Sequence, residues 1–475
     1  MKKTMTRSYV LIILAIALVL GGCAQNNSSG NGQQSLNTEQ TNPGSNTTGA
    51  GASSTGVKLT VATVNNPDMV IMQNMTAEFE KETGIEVEFV VLPENDLRKK
   101  VTEDVALGAG VFDIVTIGNY DTPIWAANGW IEQLTPYFDK MSQEERDAYD
   151  VNDIFEMVRS ALTYEDNLYA LPFYAESSML YYNIEMLEQA GVTMPENPSW
   201  EEVAEIAKKV KAEHNVPGIV LRGLPGWGEI MAPLNTVINA FGGRWYDMEW
   251  NAQLNSPETV EAVEFYVNLI KEAGQPGAFS TGFTEALTLM STGKAAMWYD
   301  ATVAAGFLNN PESSQVAGKI GYVMAPKQAK DNTGWLWSWN LAIESASKHK
   351  EEAMKFITWA TSKQYIEQVG ETEGWGVAPS GTRASTYANP KYQEAAPFSD
   401  IVLKSLETVD FDSPTVEPIP YSGIQFLAIP EFQQLGTEVS QEIAAALSGQ
   451  KTVQEAMEIA QQKAEAIAVS GGYKK

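Results

Sequence analysis

Residues 56–69 read GVKLTVATVNNPDM, and the fold follows from how they are read. Val57, Leu59, Val61 and Thr63 alternate with Lys58, Thr60 and Ala62, the period of a half-buried strand. NNPDM follows, and then a helix that runs to about Glu82, with Met72, Met75 and Phe79 on one side. Residues 84–93, GIEVEFVVLP, form a second strand with Ile85, Val87, Phe89 and Val91 on one face. After another helical stretch comes a third, apolar strand, FDIVTI (112–117). The order β-α-β-α-β predicts a parallel sheet covered by helices, an α/β fold. Such open sheets bind ligands beyond the carboxyl ends of their strands. Here those ends carry Asn65-Asn66-Pro67-Asp68 and Gly118-Asn119-Tyr120-Asp121, two polar loops expected to converge.

Further along, Ser199 with Glu202 and Thr452 with Glu455 have capping-box spacing, and Ser256-Pro257 starts a helix that Gly274 closes. These residues are read as structural. Between the helices lie aromatic-rich loops: LPFYAESSMLYYN (171–183), LRGLPGWGE (221–229), FGGRWYDMEWN (241–251), MWYDATVAAG (297–306) and EGWGVAPSGTR (373–383). Flat rings cover the C–H faces of a sugar or polyol, while carboxylates, amides and guanidinium groups serve vicinal hydroxyls. WLWSW (335–339) is read as a strand, with its three indoles on one face.

The bulk numbers exclude several classes. The 475 residues carry a net charge of −28, the wrong sign for a nucleic-acid binder. The single cysteine, Cys23, permits no internal disulfide. The two histidines, His214 and His349, sit among charges, so a Ser-His-Asp device or a His-ligated zinc lacks raw material. No metal or cofactor is expected. Residues 1–22 have a basic start and an apolar run ending Leu20-Gly21-Gly22-Cys23, which resembles the lipobox of bacterial lipoproteins. Residues 23–56 are then a lipidated cysteine and a tether poor in apolar and charged residues, spanning on the order of 30 Å. The reading is a lipid-anchored protein on the outer face of a membrane, with a Gram-positive surface favoured.

The body resembles the extracellular solute-binding proteins of ABC importers, the sugar-binding type that includes maltose-binding protein, and within it the sorbitol- and mannitol-binding proteins. The runs that carry the resemblance are DIVTIGNYDTPIWAANGW, LRGLPGWGE, NAFGGRWYDMEWNAQLNSPE, AMWYDATVAAG, WSWNLAI and YSGIQFLAIPEFQQLGTEVSQEIAAALSGQ. The resemblance implies a type II periplasmic-binding-protein-like fold, two α/β lobes with a multi-crossing hinge and a ligand cleft between them. Crossings fall near 171–176, 321–326 and 358–362, giving one lobe from 57–174 plus 326–360 and another from 175–325 plus 361–475. It also implies ligand contacts at Asn66, Asp68, Asn119, Tyr120, Tyr174, Glu176, Arg222, Trp227, Asp300, Trp339, Trp375 and Arg383. Trp335 and Trp337 are assigned to hinge and lobe packing.

The implied activity is capture of a sugar alcohol, or a related sugar, by a monomer that closes and delivers it to permease subunits. Arg222→Ala is expected to abolish binding while changing stability by no more than about 1 kcal/mol. Two alternatives are a surface glycosidase using paired carboxylates such as Glu176 and Asp300, and a sensor or adhesion lipoprotein on the same scaffold.

Overall fold

The computed structural model describes residues 56–474. The leader, Cys23 and the tether to residue 55 lie outside the described residues. The strands are β1 (Lys58–Val64), β2 (Glu86–Leu92), β3 (Ile114–Gly118), β4 (Thr163–Tyr164), β5 (Asn167–Leu168), β6 (Leu171–Glu176), β7 (Ser178–Asn183), β8 (Met297–Ala301), β9 (Ile320–Met324) and β10 (Trp337–Ile343). β1 pairs in parallel with β2 and with β3, the connections running through α1 (Pro67–Thr83) and α2 (Glu94–Leu107). The sheet continues in the order β2-β1-β3-β10-β6, with β10 antiparallel to both its neighbours. A second, three-stranded sheet has the order β8-β7-β9 and is antiparallel throughout.

Position in the sheet modifies the alternation read from the sequence. β1 is interior and covered on both faces, so Ala62 is as buried as Val61 and Thr63. β2 is the edge strand: Val87 and Phe89 are half-buried, and Val91 is exposed rather than turned inward. α1 buries Met72, Met75 and Phe79, and the Phe79 ring meets Phe356 at 5.2 Å and Trp359 at 5.3 Å. Both capping boxes form, and Ser256 caps the helix Pro257–Ala273.

Only Ser177 separates β6 of the first sheet from β7 of the second, and its N–H donates to Thr302 Oγ1 at 3.1 Å. The chain returns to the first sheet between Met324 and Trp337. All seven residues of β10 are buried. Opposite it, the register slips: Trp339 faces Tyr174 but Asn340 faces Pro172, so Phe173 is bulged out. Trp335 precedes β10. WLWSW is therefore not one three-indole strand face; only Trp337 and Trp339 alternate within the strand.

Candidate functional site

β1 ends at Val64, and Asn66 takes the N-cap position of α1. Asparagine is favoured there because its side chain usually accepts a helix N–H. This one makes no capping bond; its Nδ2 donates to Tyr174 Oη at 3.0 Å. Because that hydroxyl accepts from Asn66, its own O–H is left to donate elsewhere. Burial also drives the Tyr174 pKa well above its ordinary 10.0, so the phenol keeps its proton.

β2 delivers the chain to Pro93 and then to Glu94, the first residue of α2. Arg98 lies one turn on, where an acid and a base four apart share a helix face. Its Nε and Nη2 donate to Glu94 Oε1 at 3.0 and 2.8 Å. The Arg98 guanidinium carbon sits 4.1 Å from the Trp227 ring centroid, 4.7 Å from Trp337 and 4.9 Å from Trp339. At these distances the interaction is cation–π. Gly118, at the end of β3, leaves room for Trp337, since a Cβ there would lie 1.9 Å from the indole.

Asn66, Glu94, Arg98, Tyr174, Glu176, Trp335, Trp337 and Trp339 line one side of a cavity of about 380 Å³, part of it open to solvent. Arg222, Gly228, Ala232, Phe283, Gln425 and Phe426 complete it. Arg222 is held from behind: Nε and Nη2 donate to the two oxygens of Asp300 at 2.8 and 2.5 Å, and Nη1 to the Gly228 carbonyl at 3.1 Å. Burial works against the guanidinium charge, but Asp300 more than compensates and its pKa is raised. Glu176 is buried at the end of β6. Burial pushes its carboxyl well above the ordinary 4.5, with Arg222 only partly offsetting the shift, so the group tends to keep a proton and both donate and accept. Arg98 Nη1 and Trp335 Nε1, on two lining residues, have no hydrogen-bond partner among the described residues. Gln425 spends its Nε2 on the Leu336 carbonyl at 2.8 Å.

Of the residues expected to contact ligand, the structure thus brings Asn66, Tyr174, Glu176, Arg222 and Trp339 to one cavity. It places the others elsewhere. Asp300 lies fully buried behind Arg222 and also accepts from Trp298 Nε1 and the Ala301 N–H, so its oxygens are committed. Trp227 backs Arg98 rather than lining the cavity. Asn119 and Tyr120 border a neighbouring space of about 1060 Å³, likewise part open solvent, which Trp337, Gln425 and Phe426 divide from the first. The Asn119 Oδ1 accepts the Ser338 N–H at 3.0 Å, and the Tyr120 hydroxyl donates to the Ile429 carbonyl at 2.5 Å.

Asp68 is buried in the first turn of α1, away from the cavity lining. Trp375 is half-buried, its Nε1 donating to Glu371 at 3.3 Å. Arg383, 1% exposed, is spent on the Thr361 and Asp150 carbonyls and packs 4.7 Å from the Tyr149 ring; it ties three chain segments together.

Sequence reasoning missed Glu94, Arg98, Trp335, Trp337, Gln425 and Phe426. The first two had a signal. Pro93-Glu94 follows the second strand, at the same carboxyl-end position that singled out Asn66 and Asn119.

Residues 63–367 match a family described as bacterial extracellular solute-binding protein. The chain is 44% identical to a mannitol-binding protein of Pseudomonas aeruginosa, over 88% of this chain and 94% of that one. It is 27% identical to an erythritol/L-threitol-binding protein of Mycolicibacterium smegmatis, over 74% and 76% of the two chains. Among solved structures, an ABC transporter solute-binding protein from Agrobacterium vitis with bound D-mannitol superposes with a TM-score of 0.84 at 48% identity, covering 88% of this chain and 99% of that one. Another from Agrobacterium radiobacter, in complex with ribitol, has a TM-score of 0.77 at 27% identity, covering 87% and 99%.

Proposed function

Because the chain belongs to the bacterial extracellular solute-binding proteins, we propose that its cavity captures a linear sugar alcohol, with D-mannitol or sorbitol the leading candidates, for an ABC importer. One observation carries the choice of ligand class. The two cationic groups at the cavity, Arg98 and Arg222, are each already paired with a carboxylate, Glu94 and Asp300, which leaves a lining of nearly balanced charge. Such a lining suits a neutral ligand rich in hydroxyls, each able to give and take a hydrogen bond. The mannitol-binding relative and the mannitol-bound structure support the same reading.

In this reading the lobes are 57–174 plus 326–360 and 175–325 plus 361–475, and they close on the ligand. Hydroxyls lose water only as Asn66, Tyr174, Glu176, Arg222 and Gln425 replace it. An analogue missing a hydroxyl leaves buried groups unpaired, at about 1–3 kcal/mol each. Closure follows from the ligand's better affinity for the shut form. Cys23 carries the lipid, the tether spaces the body from the membrane, and the closed form docks on the permease.

Calorimetric titration against sorbitol, mannitol, xylitol, glucose and maltose tests the ligand class. Heat with mannitol or sorbitol, and little with maltose, is expected. Tight maltose binding without any response to polyols overturns the reading.

A further inference from the structure

Arg98 stands in a box built from distant parts of the chain. Trp337 and Trp339 come from β10, and Trp227 from the loop after Leu221. The Glu94–Arg98 pair lies so close over Gly228 that a Cβ there would come within 2.5 Å of Glu94 Oε1 and 2.8 Å of Arg98 Nε. One turn of α2 thus seats directly on the backbone of that loop. A second bond sits beside it: Asn95 Nδ2 donates to the Pro225 carbonyl at 3.1 Å. Gly228 does not have a positive φ, so the backbone does not require glycine there. A Cβ there would instead have to displace the ends of the Glu94 and Arg98 side chains from their seat.

We propose that Arg98 is the residue that joins ligand recognition to closure. It offers Nη1 to a ligand hydroxyl while Glu94 and the rest of its guanidinium seat on Gly228 across the cleft. Only a guanidinium serves both demands. Its plane is gripped by the indoles and its fork holds Glu94 through two nitrogens, leaving the third for the ligand. A ligand that accepts from Nη1 fixes Arg98 in the position the loop docks against. Occupancy is thereby converted into lobe contact.

The inference rests on the polyol reading, and the experiment separates the two. D-mannitol is titrated into the full chain and into its Gly228→Ala and Arg98→Lys variants, with small-angle X-ray scattering before and after. Gly228→Ala should weaken mannitol by roughly 10- to 100-fold and blunt the contraction, with the ligand-free melting temperature unchanged. Arg98→Lys, which keeps the charge but not the planar fork, should weaken it comparably. Wild-type affinity in either variant overturns the proposal. If the wild-type chain binds glucose or maltose instead of mannitol, only the polyol reading fails, and both variants are scored with that sugar. Silence of the wild type toward all three ligands overturns both.

Discussion

Arg222 shows how a single residue's surroundings change its meaning. From sequence it belongs to the cleft and is expected to be expendable for folding. In the structure it neutralises Asp300, which is fully buried. Arg222→Ala strands that carboxylate and should lower unfolding free energy by about 3–5 kcal/mol. Denaturant titration measures this, and an unchanged midpoint would contradict it. Arg383→Ala should separate stability from binding in the opposite sense. It loses buried bonds to the Thr361 and Asp150 carbonyls and should melt earlier, yet keep mannitol affinity within about threefold well below the transition, since it touches no cavity residue. Asp68 gives a pH signature. Burial raises its carboxyl from the ordinary 3.8 to about 7, and Oδ2 has no partner among the described residues. A carboxyl raised on folding favours the folded state fully below about pH 3.8, and that contribution is lost as pH climbs through about 7. Asp68→Asn mimics the neutral form. Its stability advantage over the parent should therefore grow by roughly 2–4 kcal/mol between pH 4 and pH 8. A flat difference across that range would remove Asp68 as the cause.

At the scale of elements, the first three strands and their helices were legible because strand alternation and the helical spacing of Met72, Met75 and Phe79 agreed. What escaped was determined by neighbours distant in sequence. Val91 reads as inward by alternation, yet β2 has no strand on its far side to cover it. Trp335 reads as part of a strand, yet pairing begins two residues later. The aromatic-rich loops pointed to a stacking role, and in the structure Trp227, Trp337 and Trp339 surround the Arg98 guanidinium, with Trp337 and Trp339 also lining the cavity. Nothing in WLWSW names Arg98 as its partner; that contact depends on where α2 begins relative to β10. Trp375 and Arg383 were carried over by resemblance alone, and no local pattern distinguishes a clamping arginine from one that sutures backbone carbonyls.

For the whole molecule, the net charge of −28 and the nearly neutral cavity lead to different expectations for salt. Paired, buried charges are poorly screened, and a neutral ligand gains nothing from long-range attraction. Mannitol affinity should therefore change by less than about twofold between low and molar salt; a steep dependence would mean that the cavity pairs open in solution. The position of β10 has a consequence of another kind. It fills the gap between β3 and β6, and the Ser338 N–H reaches Asn119, 219 positions earlier. All three strands of the second sheet lie within the chain that this pairing encloses. Until β10 has been made, β3 and β6 lack the strand that lies between them in the finished sheet. Completion of the first sheet waits until Ile343 has been synthesised. A chain stopped at residue 330 should be digested rapidly by protease, whereas the complete body resists; comparable resistance would show that the gap closes without β10. A protein built in this order carries an incomplete first sheet for most of its synthesis.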